Sequence, residues 1–131
     1  MIGLDTNVLV RYVAQDDPKQ SAQASELIES LTITSPGFVT TVSIVELVWV
    51  LQFCYESAKS EIITVLETLL RTRELTVENP EIIWQALRSY SQANADFADC
   101  LIERSANAAG CDYVLTFDSN AAKTAGMRRL T

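Results

Sequence analysis

The sequence contains no histidine. That absence removes the Ser–His and Cys–His nucleophile pairs and every zinc site built on imidazole. Glycine is scarce and scattered, at Gly3, Gly37, Gly110 and Gly126 only, so neither a GxxxxGK[ST] phosphate loop nor a GxGxxG fingerprint can be formed. The three cysteines, Cys54, Cys100 and Cys111, are odd in number and form no CxxC pair. A disulfide framework is therefore not expected, and a cytoplasmic address is. No apolar run approaches the roughly 18 residues of a membrane span, so no membrane association is expected. Met1 is followed at once by Ile2-Gly3-Leu4-Asp5, without a basic leader or a small-residue cleavage site, so no signal peptide is expected either. Any catalysis must fall mainly to carboxylates.

What is present is enough for one packed core. The chain has 131 residues, 48% of them apolar, and no linker, repeat or low-complexity tract, so a single domain over residues 1–131 is expected. The net charge of −7 argues against a general nucleic-acid binder working through a basic face. It is compatible with a nuclease, because a metal ion in an acidic pocket can meet a phosphate locally.

Strand and helix signals alternate along the chain. Residues 2–4 read as a strand and 7–12 as a helix. Asp16-Asp17-Pro18 reads as a turn and helix start, with apolar residues at 3–4 spacing over 21–31. After the Ser35-Pro36-Gly37 turn come a strand at 38–40, a nearly all-apolar helix at 41–55 and an amphipathic helix at 57–72. Leu75 and Val77 mark a third strand, and Pro80 opens a helix to about residue 91. A helix at 97–109 closes near Gly110. Residues 113–116 form a fourth strand, 120–125 a last helix and 127–130 a final edge strand. This order predicts an α/β fold with a mostly parallel sheet of four to five strands covered on both sides.

Acids stand at one kind of place in that order. Asp5 and Asp118 follow strands, Asp96 and Asp99 open a helix, and Glu46 lies in the first turns of a helix that follows a strand. In a parallel sheet the strand C-terminal ends and the following helix N-termini share one edge, so all of these acids can converge there. Each has a plain alternative as a helix cap. Ser43-x-x-Glu46 fits a capping box, Asp96 and Asp118 are plausible caps, and Asp99 suits a first turn. Glu46 fits its alternative least, as the only charge in a helix expected to be buried on more than one face. Gathered carboxylates repel one another unless a cation intervenes. Mg²⁺ or Mn²⁺ prefers such oxygen ligands and keeps waters, one of which can attack a phosphodiester.

Asp5-Thr6-Asn7-Val8-Leu9, Ser43-Ile44-Val45-Glu46-Leu47, Ala95-Asp96-Phe97-Ala98-Asp99-Cys100-Leu101-Ile102 and Leu115-Thr116-Phe117-Asp118 resemble, in order, the four motifs of PIN-domain ribonucleases, most closely those of VapC-type toxins. The resemblance covers essentially the whole chain. It implies a three-layer α/β/α sandwich and a Mg²⁺- or Mn²⁺-dependent endoribonuclease. Asp5, Glu46, Asp99 and Asp118 would form its acidic site, with Asp96 as an additional metal ligand. Thr6, Asn7, Ser43 and Thr116 would orient the acids; for Thr116 a local strand-end bond is the alternative. It also implies an RNA substrate, a cognate antitoxin whose tail blocks the site, and a homodimer. The helical pair spanning residues 41–72 is then the expected docking surface, with ordinary core packing as the alternative.

Other residues read more plainly. Arg71, Arg73, Arg128 and Arg129 suit solvated charge and dipole compensation, while Arg11, one turn beyond Asn7, is a better candidate for a phosphate contact. Trp49 and Trp84 read as core. Two other functions compete. A phosphotransfer protein also places Asp at the end of its first strand, but a hydrolase of that kind needs an acid where Asn7 stands. A receiver needs an acid where Gly3 or Leu4 stands and a strand-end lysine, whereas Lys123 follows no strand. A binding module that kept the fold without catalysis would be expected to have lost some of the acids.

Overall fold

The computed structural model describes residues 1–131. The chain forms an α/β fold of two compact units, Met1–Glu78 and Asn79–Thr131.

The first unit contains β1 (Ile2–Gly3), α1 (Thr6–Ala14), α2 (Pro18–Ser30), β2 (Gly37–Val39), α3 (Thr41–Phe53), α4 (Lys59–Arg71) and β3 (Leu75–Val77). Its strands pair in parallel in the order β1-β2-β3, with Ile2 opposite Gly37 and Gly37 opposite Leu75. Parallel neighbours cannot be joined by a tight turn. A helix pair makes each crossover here, α1 and α2 from β1 to β2, and α3 and α4 from β2 to β3. Helix starts follow the side chains. Asp17 caps α2 by accepting from the Gln20 N–H at 2.9 Å, with Pro18 in the first turn. Glu61 reaches back to the Ala58 N–H at 2.9 Å at the start of α4. The core is Leu4, Leu9, Val39, Ile44, Leu47, Ile62 and Leu66 with their neighbours. Glycine at position 37 sits in a tightly filled place. A Cβ there would stand 2.9 Å from Cδ1 of both Leu31 and Leu4 and 3.1 Å from Leu75 Cδ2.

The second unit contains α5 (Pro80–Gln92), α6 (Phe97–Ala108), β4 (Leu115–Thr116), α7 (Ser119–Thr124) and β5 (Arg128–Arg129). Helices α5 and α6 pack against each other, and Ile83, Leu87, Tyr90, Phe97 and Leu101 on them are buried. The Tyr90 and Phe97 rings meet edge to face, with centroids 5.6 Å apart. Strands β4 and β5 pair in parallel, Thr116 opposite Arg129. The expected four to five strands are thus five very short ones, hydrogen-bonded as a set of three and a set of two. No helix is long and apolar enough to cross a membrane.

Two tryptophans read as core separate here. Trp84 is half-buried, but Trp49 is 55% exposed, in line with Val42 at 68% and Phe53 at 57%. The spacing 42, 49, 53 is one stripe of α3. A helix that is apolar all round shows no preferred inner face in its sequence, and only the Ile44, Leu47, Val48 and Leu51 side is buried.

Gly37→Ala is expected to lower unfolding free energy by about 1–3 kcal/mol, the usual cost of overpacking a filled core, because three leucine side chains must yield to one methyl. A urea unfolding curve with an unchanged midpoint would show that they yield freely.

Candidate active site

In the first unit the site grows from the end of β1. The Leu4 N–H donates to Phe38 O at 2.9 Å, which holds the strand to its last residue. Asp5 then leaves the sheet and caps α1, its Oδ1 accepting from the Thr6 N–H at 2.8 Å. Thr6 is only 8% exposed. Its Oγ1 donates to Glu46 Oε1 at 2.7 Å, a short charge-assisted bond that spans 40 residues of sequence. Asp5, Thr6, Asn7, Arg11 and Glu46 consequently line one open cleft of about 480 Å³, within the range of roughly 300–1,000 Å³ seen for small-molecule sites.

The capping-box reading of Ser43 and Glu46 does not hold. Helix α3 starts at Thr41, as the expected 41–55 helix has it, and its cap is Thr40, whose Oγ1 accepts from the Ser43 N–H at 3.1 Å. Glu78 Oε1 takes the Thr41 N–H at 2.8 Å. Both jobs assigned to the box are therefore done by other side chains, and Glu46 is left to Thr6. Ser43 itself is buried and does not line the cleft. Glu46 is also exposed rather than buried, because it sits on the outward stripe of α3 between Val42 and Trp49.

In the second unit Asp96 caps α6, its Oδ1 accepting from the Asp99 N–H at 3.1 Å. Asp118 caps α7, its Oδ1 accepting from the N–H groups of Asn120 at 2.8 Å and Ala121 at 3.4 Å. Thr116 Oγ1 accepts from the Asp118 N–H at 3.0 Å, the local strand-end bond, and fixes the turn on which Asp118 stands. Asp99 is half-buried in the first turn of α6. Burial, and then the negative charges of Asp96 and Asp118, push its carboxyl above the ordinary carboxylate range. The α6 N-terminus favours an anion there, but burial and like charge outweigh it.

The structure thus groups Asp5, Thr6, Asn7 and Glu46 on one cleft, and Asp96, Asp99 and Asp118 within electrostatic reach of one another. No three acidic or thiol side chains close into a ready-made cation cage. The donor chemistry nevertheless fits a hard divalent ion. All the candidates are oxygens, Thr6 engages one oxygen of Glu46, and the repulsion at Asp99 is one that a cation relieves.

Sequence reasoning missed Asp16, Tyr55 and Glu78. Asp16 was legible only as part of a turn, and nothing in the sequence pairs it with Tyr55, whose hydroxyl donates to Asp16 Oδ2 at 2.7 Å. That bond holds the Asp16 carboxyl below its ordinary range and the Tyr55 phenol above its own. Among the arginines read as plain charge, Arg71 pairs with Glu67 at 3.3 Å and Arg128 lies 4.1 Å from the centre of the Tyr113 ring.

Residues 2–127 match the PIN domain family. A relative described as "VapC ribonuclease", from Aquifex aeolicus (strain VF5), is 30% identical over 115 residues, which cover 87% of this chain and 84% of that protein.

The raised carboxyl of Asp99 has a measurable consequence. A group that holds its proton more tightly when folded supports folding fully below its ordinary pKa of 3.8, and that support is lost as pH rises through the higher folded value. Ionised Asp99 therefore opposes folding at neutral pH. Asp99→Asn is expected to raise stability at pH 7 in the presence of a chelator, by less than about 1 kcal/mol after solvent screening. The gain should vanish below pH 3.8. Urea midpoints at the two pH values check this, and a lower midpoint for the variant at pH 7 would refute it.

Proposed function

Because the chain belongs to the PIN-domain family, we propose that it acts as a toxin-type endoribonuclease, with Asp5, Glu46, Asp99 and Asp118 as the carboxylates that hold a divalent cation, Mg²⁺ or Mn²⁺. The observation that carries this reading is the Thr6–Glu46 hydrogen bond, which directs an acid from α3 onto the cleft lined by the acid at the end of β1. When bound, the cation would polarise a phosphoryl oxygen and make an attacking water more acidic.

The side chains have distinct parts in that chemistry. Thr6 fixes the direction of Glu46, and Asn7 lines the same cleft. Asp96, engaged as a cap, adds negative charge beside Asp99 and is the fifth candidate ligand. Thr116 holds the turn at Asp118. Ser43, which the resemblance makes an orienting residue, is buried away from the cleft lining, and its backbone N–H is the one that Thr40 Oγ1 caps. In the reaction, water oxygen bonds to phosphorus, the bond from phosphorus to a ribose oxygen breaks, and that oxygen leaves with a proton.

The same reading carries a cytoplasmic address, a cognate antitoxin and a homodimer. The exposed Val42, Trp49 and Phe53 on α3 support α3 as the docking surface for a protein partner, since contiguous exposed apolar side chains mark such surfaces.

Asp5→Asn, Asp99→Asn and Asp118→Asn are each expected to cut Mg²⁺- or Mn²⁺-dependent RNA cleavage on the order of 100-fold or more, with far-UV circular dichroism unchanged. Full metal-dependent cleavage in all three would remove the proposal. Titration calorimetry with Mn²⁺ separates the competing case, since a binding module without catalysis would take up no ion at these acids.

A further inference from the structure

Arg11 is the one cationic side chain in the lining of the cleft that holds Asp5, Thr6 and Glu46. A chain of net charge −7 repels a polyanion, and carboxylates beside a reacting phosphate do so most strongly. A single-stranded RNA lying along this cleft needs a fixed positive group for one of its other phosphates. Arg11 is five residues beyond Thr6 on α1, or about 7.5 Å along the helix axis. Its backbone is therefore displaced along α1 from Thr6, which holds Glu46.

Its guanidinium is braced from three segments. Nε donates to Gln20 Oε1 on α2 at 2.8 Å, and Nη1 donates to Asp16 Oδ1 in the α1–α2 turn at 3.3 Å. Asp16 is held in turn by the Tyr55 hydroxyl, from just beyond α3, at 2.7 Å. These bonds use Nε and Nη1 and leave Nη2 for another acceptor. The side chain is 33% exposed. It also lines an adjoining hollow of about 420 Å³ with Gln20 and Gln23, so it stands where two recesses meet. An exposed ion pair of this kind contributes little to stability. Ordering two long side chains and a tyrosine around one guanidinium is better explained by where it puts the charge.

We propose that Arg11 is a substrate-binding residue that grips a phosphate of the RNA neighbouring the one being cut, and that Asp16 and Tyr55 are positioning residues that aim it. The proposal rests on the ribonuclease reading above and adds a phosphate clamp to the acids of the cleft.

The test measures binding and turnover separately. Binding of a fluorescein-labelled single-stranded RNA of mixed sequence is followed by anisotropy across a salt series, in an Asp99→Asn background that does not cut. Arg11→Gln is expected to weaken binding about tenfold and to lower the slope of log K against log salt by about 0.7–1, the loss of one phosphate contact. Arg11→Lys restores the slope but not the full affinity, because an ammonium lacks the planar fork. Tyr55→Phe weakens binding less and leaves the slope unchanged, since the charge remains. In the cutting enzyme, Arg11→Gln raises KM with kcat within about twofold. An unchanged salt slope in Arg11→Gln overturns the proposal, as does a fall in kcat at constant KM. Restoration of neither slope nor affinity in Arg11→Lys overturns it too, and that variant serves if Arg11→Gln does not fold. If the slope depends on Arg11 but the wild-type protein never cuts RNA with Mn²⁺, the ribonuclease reading fails and the phosphate clamp stands. If cutting depends on the acids while Arg11→Gln behaves as wild type, the clamp fails and the ribonuclease reading stands.

Discussion

The hydrogen bond from Thr6 to Glu46 is the tie on which the cleft of the first unit depends. Its two ends lie on helices that follow different strands, so it exists only if β1 and β2 run parallel and in register. Gly37 pairs with Ile2 in that register, and its backbone passes close to the side-chain ends of three leucines. A buried hydroxyl with no acceptor costs about 1–3 kcal/mol. Thr6, nearly buried, has a strong reason to keep its partner, and Glu46 is held in direction as a result. The sheet geometry, the packing beneath it and the aim of one carboxylate are therefore one constraint expressed at three levels.

A second constraint acts in the other direction. Burial first, and then the charges of Asp96 and Asp118, raise the carboxyl of Asp99. A protein selected only for stability would relieve that repulsion with a neutral residue, as stabilising changes at strained sites usually do. The local helix ends soften the penalty, because Asp96 and Asp118 each accept backbone N–H groups from the helices they open. The repulsion that remains is concentrated on Asp99, which caps nothing.

Most elements of the fold were legible in the sequence because capping and periodicity are local. Asp17-Pro18, Pro80 and Asp96 each stand at a helix start, and the strand at 75–77 shows the alternation of a half-buried strand. The acids at strand ends were legible for the same reason. What could not be read is which face of an element meets a neighbour. Helix α3 is apolar on nearly every side, so nothing local distinguished buried Leu47 and Val48 from exposed Trp49 and Phe53, or placed Glu46 outside. The start of α3 at Thr41 was legible, but its cap was not: Ser43 is as good a cap in sequence as Thr40, and Glu78, which takes the Thr41 N–H, is 37 positions away. The brace around Arg11 was illegible on the same ground, since Tyr55 and Asp16 meet only through the tertiary fold.

Asp5, Asp96 and Asp118 each serve as the N-cap of a helix. Asparagine caps about as well as aspartate, whereas alanine forfeits about 0.5–2 kcal/mol at such a position. An alanine scan of these three positions would therefore merge a folding defect with a chemical one in a single number, and would overstate their part in any reaction. Glu46 caps nothing, but alanine there would leave the nearly buried Thr6 hydroxyl without its acceptor, so it too carries a structural duty. Dual employment of this kind also narrows what drift can accept there, since a replacement must satisfy two unrelated demands at once.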